Sequence, residues 1–212
     1  MKKAIIKTKI HSRVGFFETL DSIGFNFEPD YWQHDRIFVP RNYDRNRAFP
    51  RLSLRTVVRK DGETLYALVM RQHFTQNNLD IINRTLVGDY TEAAHILYSL
   101  GYEFKAEVSR RRSELAMGDT VRIYVDKIDG LDGYYAKIET ILDKDETPNE
   151  AREDLIQSFH VLGIEDVEPI NKTYGELVES AAHDIEDIPE TGHNSLSDTN
   201  SQMDEGRLSV RN

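Results

Sequence analysis

Residues Val121 to Glu139, VRIYVDKIDGLDGYYAKIE, read as two strands joined by a tight turn at Asp129-Gly130. Val121, Ile123 and Val125 alternate with Arg122, Tyr124 and Asp126, and after the turn Ala136, Ile138 and Leu142 oppose Tyr135, Lys137 and Glu139. Side chains two apart share a face of a strand, so each strand presents one apolar and one charged surface. The same parity recurs upstream, where Leu52 and Leu54 oppose Arg51, Ser53 and Arg55. If helices cover the apolar faces, the charged faces look either into a closed sheet or onto open solvent, and alternation alone leaves both open.

Around this pair the rest of the chain falls into short elements. Ala4 to Ile10 alternates as a half-buried strand, and further strands are expected near Gln33–Val39, Leu52–Val58, Leu65–Arg71, Leu79–Val87 and Tyr102–Arg112. Asp61-Gly62 marks a hairpin between two of them. Ser12 suits the cap of a first helix that stops at Gly24, and Asp89 caps a second that stops at Gly101. Thr147, Pro148 and Glu150 form a capping-box start for a third, and a short helix near Tyr174–Ala181 closes the folded part. About eight strands linked mostly by tight turns predict an α+β chain whose antiparallel sheet closes as a barrel.

Composition narrows the classes. A chain of 212 residues supports one core plus a tail, and the absence of cysteine excludes disulfides and thiolate metal sites. No apolar run is long enough to cross a bilayer and no signal-peptide core is seen, so a cytoplasmic location without membrane contact is expected. A net charge of −10 argues against a general nucleic-acid binder. The charge is uneven, however. Arg36 to Lys60 and Arg110 to Arg112 are basic, with Arg41, Arg45 and Arg47 in a loop between two prolines, whereas residues 183–212 are acidic, poor in apolar groups and expected to be disordered. Tyr31 and Trp32 either stack on a base at a ligand-site mouth or pack at a strand start. His73, His95, His160 and His183 have no metal-ligand spacing.

Val121–Glu139, with QHDRIF at Gln33–Phe38, LSLR at Leu52–Arg55, EVSRRRSEL at Glu107–Leu115 and INKTYGELVES at Ile170–Ser180, resembles the CYTH or triphosphate-tunnel superfamily. That group includes class IV adenylate cyclases, thiamine triphosphatases and inorganic triphosphatases. The resemblance implies an eight-stranded antiparallel tunnel over residues 1–182 with helices outside, whose basic side chains grip a triphosphate and whose carboxylates hold Mg²⁺ or Mn²⁺. Carried over, it assigns anion contacts to Lys7, Arg55, Arg71, Arg110, Arg112 and Arg122. It gives carboxylate roles, catalytic and metal-binding, to Asp126 and Glu139, with Asp35 completing a reduced metal set. Asp132 stands as a one-residue insertion in the family's Gly-Leu-Gly turn.

The sequence departs from the family where metal would be held. The family's Glu-x-Glu-x-Lys reads Lys3, Ala4, Ile5, Ile6, Lys7, and Lys137 replaces the first glutamate of the last strand. Two carboxylate-to-lysine exchanges move the tunnel charge by four units, opposing a cation and favouring an anion directly. Three functions follow as expectations. One is a module that binds a triphosphate-containing small molecule or inorganic polyphosphate, with Lys3 and Lys137 in the metal's place and no cofactor. Another is a metal-dependent triphosphate hydrolase or adenylate cyclase. The last is a scaffold whose acidic tail engages a protein partner.

Overall fold

The computed structural model describes residues 1–44, 49–74 and 79–186, with side chains through residue 182. Loop residues Arg45 and Arg47, and most of the expected tail, lie outside the described residues. Eight strands run in chain order as β1 (Lys2–Ile10), β2 (Tyr31–Pro40), β3 (Arg51–Val58), β4 (Thr64–Phe74), β5 (Leu79–Leu86), β6 (Tyr102–Met117), β7 (Val121–Ile128) and β8 (Tyr134–Ile141). Every pairing is antiparallel, and the order β1-β5-β4-β3-β2-β6-β7-β8 closes on itself through β1. Four helices stand outside the ring: α1 (Arg13–Ser22), α2 (Tyr90–Ser99), α3 (Pro148–Val161) and α4 (Tyr174–Glu186).

Local chemistry sets the helix ends. Ser12, Asp89 and Thr147 each accept the backbone N–H three residues on, and Thr147 with Glu150 completes the capping box. In the β7–β8 turn, Gly130 and Gly133 both take positive φ, 79° and 78°, where a side chain would be strained. Asp132, in the same turn, is fully exposed, with Lys9 3.6 Å away. α4 runs past Ala181 to Glu186, five residues beyond its expected end, because Ala182 and Glu186 are good helix formers. β6 also outruns its expected limit. It serves two neighbours, with Tyr102–Arg112 pairing with β2 and Arg110–Met117 pairing with β7.

The hydrocarbon core lies between the ring and the helices, not inside the ring. Ala4, Ile6, Ile123, Val125, Ala136 and Ile138 pack with Phe16 and Leu20 of α1 and with Leu155 and Phe159 of α3. On the other side Phe38 and Leu54 pack with Ala94 and Leu97 of α2. Burying a side chain of this size contributes about 1.5–3 kcal/mol each, so the outer face is where the fold gains its stability. With the apolar rows so covered, the opposite rows must face inward.

Candidate functional site

Inside the ring lies a cavity of about 520 Å³. Each strand contributes the row its alternation predicts. β1 supplies Lys3, Ile5 and Lys7, β3 supplies Arg51, Ser53 and Arg55, and β6 supplies Val108, Arg110 and Arg112. β4 adds Arg71, β5 adds Arg84 and β8 adds Lys137 and Glu139. The charged faces therefore look inward, resolving the choice that alternation left open. Nine lysine and arginine side chains line this space against two carboxylates, Asp35 and Glu139. One end is covered by the start of α4, where Thr173, Tyr174 and Gly175 join the wall.

Those carboxylates are already engaged by cations. Asp35 accepts from Arg55 Nε at 2.7 Å and Nη2 at 3.1 Å, from Gln33 Nε2 at 2.8 Å, and from Arg110. Burial pushes its carboxyl up, but Arg55 and Arg110 outweigh this and hold it well below the usual carboxylate range. Glu139 accepts from Lys137 Nζ at 2.7 Å, from Lys3 Nζ, and from the Tyr124 hydroxyl at 3.3 Å. Here too burial raises and the two lysines lower, with the lysines prevailing. Asp126, fully buried, takes a two-pronged bond from Arg112 at 2.6 and 2.8 Å. Asp80, on β5, accepts from Arg71 Nε at 2.7 Å and sits 3.3 Å from His73.

The cations do not all share that arrangement. Lys7 donates to the Lys172 carbonyl, and burial, then Arg71 and Lys137 nearby, lower its ammonium to about 7. Lys137 is lowered to about 8, burial outweighing its pairing with Glu139. Arg110, 5% exposed, keeps its Nε buried without a hydrogen-bond partner. An unpaired buried guanidinium N–H carries a desolvation cost that no hydrogen bond offsets.

Of the residues expected from sequence, Lys3, Lys7, Asp35, Arg55, Arg71, Arg110, Arg112, Lys137 and Glu139 all line the cavity. Asp126 shares their inward parity but is shut off behind Arg112. Arg122 is inward by parity too, yet it sits at the rim, donating to the Gly118 and Val121 carbonyls at 2.8 and 2.9 Å. Arg41 pairs with Glu103 on the exposed surface, 3.1 Å away. Sequence reasoning missed Arg51, Arg84 and Asp80 as site residues. The first two were findable, since Arg51 shares parity with Arg55, and Arg84 lies two positions from inward-facing Ile82. Asp80 carries the same parity, two positions before Ile82, but its link to Arg71 exists only through the β4–β5 register.

A second cavity, of about 640 Å³, adjoins the first at the end away from α4. The two share Arg55, Arg84, Arg112 and Tyr124 as a common waist. The ring is thus a two-chambered tunnel.

The arrangement does not fit a catalytic divalent ion. Among the described residues no three His, Cys, Asp or Glu side chains converge on one point. The three carboxylates of the reduced metal set are each tied to arginine or lysine, which hold the lone pairs that a hard cation needs. No described helix is long and apolar enough to cross a membrane.

Comparison with known proteins agrees with this architecture. The family model for the CYTH domain matches residues 1–174, and the chain belongs to that family. In solved structures the fold is shared with a conserved hypothetical protein of Pyrococcus furiosus, at 25% identity and TM-score 0.66, over 82% of this chain and 99% of that one. It is shared with an adenylate cyclase candidate of Vibrio parahaemolyticus, at 17% identity and TM-score 0.70, over 84% and 97%. It is also shared with an adenylyl cyclase candidate of Hippeastrum that has a dominant triphosphatase activity, at 14% identity and TM-score 0.58, over 85% and 96%. No curated protein matches. Enzymes of the CYTH family generally depend on divalent metal and act on triphosphate-containing substrates.

Proposed function

We propose that this protein binds a triphosphate- or polyphosphate-type anion in its tunnel, with Lys3 and Lys137 neutralising phosphate where metal would otherwise do so. The observation that carries this reading is the surplus of cations in a wall whose carboxylates are already engaged. Charge-assisted bonds from lysine and arginine to phosphate oxygens are strong and require no metal. Its place of action, on the cysteine-free composition, is the cytoplasm.

The same geometry weighs against the catalytic roles of Asp126 and Glu139. A carboxyl held far below its ordinary range has no proton to give near neutral pH and is a poor base. Phosphoryl transfer further requires charge stabilisation and an oriented nucleophile. Calorimetric titration with tripolyphosphate, with and without a chelator, tests the reading. Equal binding in both supports it, and binding abolished by chelator rules it out. Phosphate release and cyclic AMP formation, assayed with Mg²⁺ and Mn²⁺, are expected not to exceed a Glu139→Gln control.

A further inference from the structure

Three lysines line the α4-side cavity, and their surroundings differ. Lys3 and Lys137 both donate to Glu139. Lys7, only 6% exposed, has no carboxylate within ion-pair distance among the described residues, and its Nζ donates to the Lys172 backbone carbonyl. That Nζ lies over the Tyr174 ring, 5.2 Å from the centroid. Burial, then Arg71 on β4 and Lys137 on β8, lower its pKa to about 7, while Glu176 of α4 and Asp80 of β5 pull the other way without restoring it. About half of Lys7 is therefore an uncharged amine at neutral pH, against about one solvated lysine in a thousand or fewer.

A neutral amine that keeps one N–H on a carbonyl and faces a cavity has its lone pair free to attack. Cations around it hold a phosphate and stabilise it as a leaving group. We propose that Lys7 is a self-acylation site for small acyl phosphates, with the phosphoryl group held among Arg71, Arg110 and Lys137 and the acyl group taken by the Lys7 amine. This rests on the anion-tunnel reading above. Lys7 Nζ bonds to the carbonyl carbon, the bond from that carbon to the phosphate oxygen breaks, and inorganic phosphate leaves with the electron pair. The proton shed by nitrogen passes to phosphate or water, and nothing is oxidised or reduced. The amide product is uncharged, so acylation removes one cation from the wall and weakens its grip on phosphate.

The experiment incubates the full chain in chelator, near neutral pH, with acetyl phosphate, and follows each lysine by peptide mass spectrometry. Lys7 is expected to acetylate roughly tenfold or more faster than exposed Lys9 and Lys144, with excess tripolyphosphate suppressing the rate at Lys7 alone. Acetic anhydride, an uncharged reagent that gains nothing from the cations, should favour Lys7 far less. Tripolyphosphate should then bind about tenfold more weakly to the acetylated chain and to Lys7→Gln, the loss of one charge-assisted contact. Lys7 reacting no faster than Lys9, an equal preference with both reagents, or an unchanged Kd after acetylation overturns this inference. If the unmodified chain still binds tripolyphosphate, the tunnel reading stands in each of those cases. Failure of the unmodified chain to bind tripolyphosphate overturns that reading and this inference with it.

Discussion

The two faces of one closed sheet divide the work of this molecule. On the outside, Ile6, Phe38, Leu54, Ile123 and Ile138 meet the helices and supply the core. Inside, the neighbouring residues of the same strands are Lys7, Ile37, Arg55, Tyr124 and Lys137, four of them polar or charged. A strand changes face with every residue, so one hydrophobic row supports a row of buried charges that could not hold a fold together by themselves. Stability and binding are thereby written in alternate positions of the same strands. Substitution can separate them.

The largest effect is expected on the outer face. Phe38→Ala, at a fully buried position against α2, should destabilise the protein by about 3–5 kcal/mol in denaturant unfolding, while the folded fraction retains its tripolyphosphate Kd. Inside, the balance reverses. Glu139→Gln strips Lys3 and Lys137 of their shared anion, which should cost about 3 kcal/mol of stability. The same change frees two ammonium groups for phosphate, so tripolyphosphate should bind tighter and raise Tm more in the variant than in the wild type. A loss of affinity in Glu139→Gln would show that the carboxylate itself assists binding.

The smallest effect concerns pH. Lys7, lowered to about 7 in the free tunnel, gains a partner when phosphate arrives, so its affinity for protons rises in the complex. Between pH 7 and that higher value binding takes up a proton, and affinity should fall as pH rises, by at most about tenfold per pH unit. Calorimetry at pH 7 and pH 9 in buffers of different ionisation enthalpy reads proton uptake directly, and Lys7→Arg should remove the share due to Lys7, leaving that of Lys137, lowered to about 8. Folding shows the opposite trend for the carboxylates. Asp35, Asp80 and Glu139 titrate below their unfolded values, so the stability they confer is present above the ordinary carboxylate range. It is lost as pH falls below that range.

Much of this architecture was legible before any coordinates. The alternation Arg51-Leu52-Ser53-Leu54-Arg55 and the capping box at Thr147 state their own local structure, because side-chain periodicity and helix capping act over a few residues. What could not be read was the sense of the charged face, since that depends on β1 meeting both β5 and β8 to close the ring. The ion pairs were hidden for a related reason. Asp35 and Arg55 are direct cross-strand partners, but register belongs to the sheet and not to either strand. Arg122 shows the limit of parity: it faces the right way at the wrong height, where the Gly118 turn takes its guanidinium.

The central claim is that lysines have taken over the place of metal, and exchanging them back tests it most directly. A Lys3→Glu/Lys137→Glu variant puts two carboxylates beside Glu139 and should bind tripolyphosphate only when Mn²⁺ or Mg²⁺ is supplied, whereas the wild type should bind equally well in chelator. Wild-type binding that vanishes in chelator, or a variant that binds as well without metal as with it, would contradict the account.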